Sequence, residues 1–86
     1  MTAAEIRSVI VDEIDSLLLE ADQPVRPLAD QDVLLETGLD SLAFAVLIVR
    51  LEDRLGYDPF TDLAEPVYPQ TLGELCQVYA LAPQPR

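Results

Sequence analysis

Residues 36–42, Glu-Thr-Gly-Leu-Asp-Ser-Leu, run straight into an apolar stretch from Ala43 to Leu55, and Gly56 closes it. This junction constrains the chain more than any other segment. Phe44, Leu47, Ile48, Leu51 and Leu55 recur at helical spacing, so a helix is expected from about Ser41 to Leu55 with one inward stripe. Asp40 and Ser41 are both candidates for its N-cap, and Gly56 is its stop. The junction therefore presents a serine hydroxyl at a helix start. No histidine exists anywhere in the chain to activate it.

The remaining segments read as helices packed around that one. Thr2 and Glu5 have the spacing of a capping box, and behind them Ile6, Val9, Ile10, Ile14, Leu17 and Leu18 recur at helical spacing. A first helix is expected over about residues 3–20. Pro24 and Pro27 exclude a continuous helix in the connection 21–40, where Asp22, Asp30 and Asp32 add turn chemistry. A connection of that length tends to be functional. Leu28, Val33, Leu34 and Leu35 are its expected apolar anchors, and Gly38 frees the backbone to turn into the second helix. Thr61–Glu65 has room for a single turn before Pro66. Thr71 and Glu74 repeat the capping-box spacing and open a last helix over about 72–81, with Leu72, Leu75, Cys76 and Tyr79 on its core face. Three longer helices, one short helix and no convincing strand make an all-α four-helix bundle. The single domain covers residues 1–86, with its core at about 3–81 and a frayed tail at 82–86.

Composition narrows the function classes. Sixteen acids oppose five basic residues, all arginine, for a net charge of −11. Such a field repels nucleic acid and anionic membranes and favours basic partners. No apolar run approaches the roughly 20 residues of a membrane span, and the N-terminus lacks the pattern of a secretion signal. One cysteine forms no internal disulfide, so a monomer in the reducing cytoplasm is the expectation.

Catalysis by the chain itself is not expected. Without histidine or lysine, the usual bases for a serine or cysteine nucleophile are missing. Cys76 falls on an apolar stripe, where a thiol is inert. Asp30-Gln-Asp32 begins like a calcium loop, but Leu34 and Leu35 occupy the positions that need a ligand and a glycine, so no metal site is expected. A serine displayed without a base is a target for another enzyme.

Leu34-x-x-x-Gly-Leu-Asp-Ser-Leu42, with the long loop before it and the helices after it, resembles the attachment site of acyl and peptidyl carrier proteins. The resemblance runs from Ile6 to Ala80. It implies an acyl-carrier-like bundle with a 4′-phosphopantetheine arm covalently attached to Ser41, flanked by Asp40 and Leu42 as residues next to the cofactor. It implies a carrier, not an enzyme, holding an acyl or aminoacyl group as a thioester. Its partners would be a phosphopantetheinyl transferase, an acyl or aminoacyl ligase and a downstream synthase or transferase. A helix start suits a phosphodiester, because free N–H groups and the helix dipole stabilise negative charge there.

The second helix also has an outer face. Leu42, Ala45, Val46 and Val49 are expected to form an enzyme-docking patch beside the serine. Fatty-acid-type carriers tend to be acid-rich here, whereas this chain has Val46, and Arg50 and Arg54 flank Glu52 and Asp53. That departure resembles the peptidyl or aminoacyl carriers of secondary metabolism. The competing expectation is a non-covalent acidic helical adaptor, with Ser41 a plain helix cap and the same face as its docking patch.

Overall fold

A computed structural model of the chain describes residues 1–60 and 69–82. Among them are three α-helices: α1 (Ala3–Glu20), α2 (Ser41–Leu55) and α3 (Leu72–Leu81), with a 3-10 turn at Leu34–Glu36. No strand occurs among the described residues; an isolated antiparallel bridge joins Val33 to Thr71. The short helix expected at Thr61–Glu65 and the tail beyond Ala82 lie outside the described residues.

Local chemistry explains both ends of α1. The capping box forms as its spacing predicts: the Glu5 N–H donates to Thr2 Oγ1 at 3.2 Å, and the Thr2 N–H donates to Glu5 Oε1 at 3.3 Å. At the other end, the Gln23 N–H donates to the Leu18 carbonyl (2.8 Å) and the Asp22 N–H to the Leu19 carbonyl (3.2 Å). This is a Schellman closure with Asp22 in the left-handed region at φ 57°. Pro24 then prevents the helix from resuming.

The helix α1 packs against both α2 and α3. Ile6, Ile10, Ile14 and Leu18 of α1, Leu47 and Leu51 of α2, and Leu72, Leu75 and Tyr79 of α3 form one closed core. Leu34 and Leu39 enter it from the loop. Val9, Phe44, Ile48 and Cys76, all expected inside, are only half-buried at its margin. Arg50 holds both carboxylate oxygens of Glu20 at 2.6 and 2.8 Å, while Arg54 reaches Glu13 at 3.2 Å and Asp12 at 3.5 Å. Higher numbers on α2 meet lower numbers on α1, so these two helices run antiparallel.

The arginines are a correction to the sequence expectation. They do not sit free beside Glu52 and Asp53 on the outer face; they lean the other way and stitch α2 to α1. Screened by water, such pairs contribute little to stability, but they fix how the two helices align.

The long loop is laced to the start of α3. The Leu34 N–H donates to the Gln70 carbonyl (2.8 Å), the Leu72 N–H to the Asp32 carbonyl (3.0 Å) and the Gly73 N–H to the Asp30 carbonyl (2.9 Å). Arg7 adds a clamp from α1, with Nε on Asp30 Oδ1 (3.0 Å) and a second nitrogen on the Leu28 carbonyl (3.1 Å). A Cβ on Gly73 would stand 3.0 Å from Asp30 Cβ and 3.1 Å from its carbonyl oxygen. Glycine is what lets the loop come this close.

Of the four expected loop anchors, Leu34 is buried and Leu28 half-buried, but Val33 and Leu35 remain 37% and 58% exposed. The reason is the 3-10 turn. With about three residues per turn, neighbouring side chains splay in different directions, so Leu34 points in and Leu35 points out. The second capping box is also only half made. Thr71 Oγ1 accepts from the Glu74 N–H (3.2 Å), but the Glu74 carboxylate accepts from the Gln70 N–H at 2.7 Å. Pairing of Thr71 with Val33 holds residues 70–71 extended and turns the Gln70 amide toward Glu74.

Candidate functional site

The approach to Ser41 is built from the loop. Thr37 is buried, and its hydroxyl donates to the Leu34 carbonyl at 2.6 Å, closing the 3-10 turn from within. Gly38 follows at φ +115°, where a Cβ would also stand 3.0 Å from Leu18 Cδ2. Leu39 is buried and anchors the motif to the core. The chain thus reaches residue 40 held from inside by Thr37 and Leu39. Neither role was read from the sequence; Thr37 passes for a surface hydroxyl, and Leu39 for a motif letter.

At the junction itself Asp40, not Ser41, is the N-cap. Its Oδ1 accepts from the Ala43 N–H at 2.7 Å, and its carbonyl accepts from the Phe44 N–H at 2.9 Å. Ser41 is the first residue of α2 and is exposed. Because the cap is its neighbour, the Ser41 hydroxyl makes no hydrogen bond among the described residues. The amides of Ser41 and Leu42 also find no protein acceptor there. Two open N–H donors, a helix dipole and an exposed hydroxyl therefore converge at one point, which is the chemistry a serine-linked phosphate needs.

Of the other expected site residues, Leu42 is 73% and Val49 66% exposed, and Ala45 lies with them on the solvent side. Val46 differs. It is half-buried and packs against the core, because its place on the helix circumference falls on a flank between the two faces. The outer face is therefore Leu42, Ala45 and Val49, followed toward the C-terminus by exposed Glu52 and Asp53.

Ser41 also borders a cleft that sequence reasoning did not find. It measures about 370 Å³ and is lined by Val33, Leu34, Leu35, Ser41, Phe44, Pro69 and Gln70. Three distant segments meet in it, and the only sequence signal was a set of apolar residues assigned to the core. Elsewhere, burial pushes the Cys76 thiol up from its ordinary value, leaving it less thiolate and less reactive. Among the described residues no group of histidine, cysteine or carboxylate side chains is placed to hold a metal ion. No described helix is long and apolar enough to cross a membrane.

Residues 8–65 match the family described as the phosphopantetheine attachment site. The chain belongs to that family. No curated protein and no solved structure matches it. As a member of the phosphopantetheine attachment family it is a carrier and not a catalyst, and its cofactor is 4′-phosphopantetheine joined covalently to a serine. Carrier domains of this kind work with phosphopantetheinyl transferases and synthetase partners. The open helix start at Ser41 fits the group: it offers a hydroxyl to esterify and two amides toward the phosphate.

Proposed function

We propose that Ser41 is the attachment point and that the chain presents an acyl or aminoacyl group on its arm to biosynthetic enzymes. The observation that carries this reading is the division of labour between Asp40 and Ser41. One caps α2, and the other is left exposed with its hydroxyl unengaged. The alternatives in the matched region are poorer. Ser16 lies inside α1 and donates its hydroxyl to the Asp12 carbonyl at 3.0 Å, and Ser8 is also within α1, away from any helix start.

When bound, the arm supplies a thiol that holds the cargo as a thioester. The protein's own share is to fix the direction of Ser41 through Thr37, Leu39 and Asp40, and to offer a recognition face. That face is Leu42, Ala45 and Val49, with Val46 at its flank. Its apolar half adjoins Ser41, and its acidic half, Glu52 and Asp53, suits basic partner surfaces. We place it in secondary metabolism, in the cytoplasm, from the apolar outer face of Leu42, Ala45 and Val49 and from a single cysteine that has no disulfide partner in the chain.

The test is intact mass after incubation with a phosphopantetheinyl transferase and coenzyme A. The wild-type chain should gain one phosphopantetheine, and Ser41→Ala should gain none. Because Asp40 is the cap, Ser41→Ala should keep its helical circular dichroism and lie within about 0.5 kcal/mol of wild type in stability. Modification of the Ser41→Ala variant would overturn the assignment. A wild-type chain that stays unmodified would favour the non-covalent adaptor.

A further inference from the structure

The bonds between the loop and the start of α3 form a ladder with a direction. The Gly73 N–H donates to the Asp30 carbonyl (2.9 Å), the Leu72 N–H to the Asp32 carbonyl (3.0 Å), and the Leu34 N–H to the Gln70 carbonyl (2.8 Å). Of these three rungs, the one at Leu34 stands nearest to Ser41 along the loop. From there the chain passes through Thr37, whose hydroxyl donates to the Leu34 carbonyl (2.6 Å), and Gly38 at φ +115°, and so reaches Asp40 and Ser41. Leu34 is therefore held on both sides, its N–H by Gln70 and its carbonyl by Thr37. The end of such a ladder opens more readily than its middle, because an end rung is supported from one side only. At this end rung there is an additional bond. Glu74 is exposed, yet its Oε2 accepts from the Gln70 N–H at 2.7 Å, and a charged acceptor makes the bond a strong one. The capping-box spacing would send that carboxylate to the Thr71 N–H. It is diverted one residue back, onto the residue that supplies the acceptor of the rung.

We infer that Glu74 is a positioning residue for the modification of Ser41. It clamps the end rung through Gln70, and through Leu34 and Thr37 that clamp fixes where the Ser41 hydroxyl stands when a phosphopantetheinyl transferase presents coenzyme A. The inference rests on Ser41 being the attachment point. In the transfer, the Ser41 oxygen bonds to the phosphorus that carries pantetheine, and the diphosphate bond of coenzyme A breaks. Adenosine 3′,5′-bisphosphate leaves, and the serine proton passes to a base of the transferase. Such a displacement is sensitive to placement: an error of about 1 Å at the nucleophile can cost about 100-fold in rate. Glu74 acts through three hydrogen bonds in series, Glu74 to Gln70, Gln70 to Leu34 and Leu34 to Thr37, and its effect falls on orientation. The recognition face of Leu42, Ala45 and Val49 lies on α2 and does not depend on that series, so docking is untouched. The change therefore belongs in kcat and not in KM.

The experiment measures steady-state phosphopantetheine transfer to the full chain and to Glu74→Ala, Glu74→Gln and Thr71→Ala. Amide exchange and melting curves of the unmodified proteins are read in parallel. Glu74→Ala should lower kcat several-fold with KM unchanged, and should speed exchange at Leu34 while Leu72 and Gly73 keep their protection. Glu74→Gln keeps an acceptor for the Gln70 amide without the charge, and should restore most of kcat. Thr71→Ala removes the hydroxyl that accepts from the Glu74 N–H at 3.2 Å, so it weakens the cap of α3 and leaves the Gln70 clamp in place. It should melt no higher than Glu74→Ala while its kcat stays near wild type. Equal kcat losses in Thr71→Ala and Glu74→Ala would overturn the inference, since Glu74 would then act only by stabilising α3. A loss confined to KM would also overturn it, by making Glu74 a docking contact, as would a loss in Glu74→Gln as large as in Glu74→Ala. A wild-type chain that accepts no phosphopantetheine would remove the attachment to Ser41 and this inference together. Normal transfer to wild type with unchanged kcat in Glu74→Ala would remove this inference alone.

Discussion

The starts of α2 and α3 are the same kind of object, treated in opposite ways. At α3 the Leu72 and Gly73 amides are taken by loop carbonyls, Glu74 by the Thr71 hydroxyl and Leu75 by the Thr71 carbonyl. Every free donor of that first turn is satisfied within the protein. At α2, Asp40 satisfies Ala43 and Phe44, and the amides of Ser41 and Leu42 stay open beside an exposed hydroxyl. A helix start enclosed by its own chain is structural. One left open, and held rigid from beneath by Thr37 and Leu39, is available for a covalent group. The start of α1 lies between the two: its capping box takes the Thr2 and Glu5 amides, while the Ala3 and Ala4 amides find no protein acceptor among the described residues. The start of α2 differs from both in the exposed serine hydroxyl that stands beside its open amides.

Three substitutions test that contrast, beginning with the largest effect. Gly73→Val should force the loop away from α3 by driving a branched side chain into the Asp30 backbone, at a cost of about 1–3 kcal/mol. Amide exchange should then rise at Leu72 and Gly73 and stay unchanged at Leu42. If the α3 amides keep their protection, the loop is not what closes that end. Asp40→Ala removes the side-chain N-cap of α2 and should cost about 1 kcal/mol in chemical denaturation. That loss should be clearly larger than for Ser41→Ala. Equal losses would mean that the two residues share the cap and that the hydroxyl is not spare.

The smallest effect is a pH dependence at the start of α1. Hydrogen bonds from the Thr2 backbone and side chain hold the Glu5 carboxyl below its ordinary value of 4.5. A group depressed in the folded state stabilises it above the unfolded value, and that contribution is lost as pH falls through the folded value. Glu5→Gln keeps an acceptor and removes the charge. Its melting temperature should lie slightly below wild type at pH 7, and the gap should close as the pH falls below 4.5 and through the lowered folded value. A gap that persists at low pH would show that the cap works through shape and not charge.

The valine at position 46 and the two arginines of α2 illustrate how sequence reading failed. All three are placed by helical spacing on or near the outer face, and spacing resolves a helix into inside and outside. It does not say what leans over the edge. Val46 sits on the flank and is drawn onto the core, and the arginines are drawn across to Glu13 and Glu20 because α1 runs alongside. Leu35 failed for a different reason, since a 3-10 turn changes the period on which the reading depends.

What the sequence determined by itself was local. The bounds of α1, α2 and α3, the capping box at Thr2, the stop at Gly56 and the exposed serine at the loop–helix junction all depend on residues within a few positions of one another. Their physical causes are caps, glycine and proline dihedrals and helical periodicity, and these act before any long-range contact forms. The tertiary structure decided the rest. It chose Asp40 over Ser41 as the cap, closed α3 with carbonyls from a loop some forty residues earlier (Asp30 to Gly73 and Asp32 to Leu72), and gathered Val33, Leu35, Phe44 and Pro69 into a cleft beside Ser41. Those outcomes depend on which distant backbone arrives to satisfy a donor or cover a side chain, and no short window of sequence contains that information.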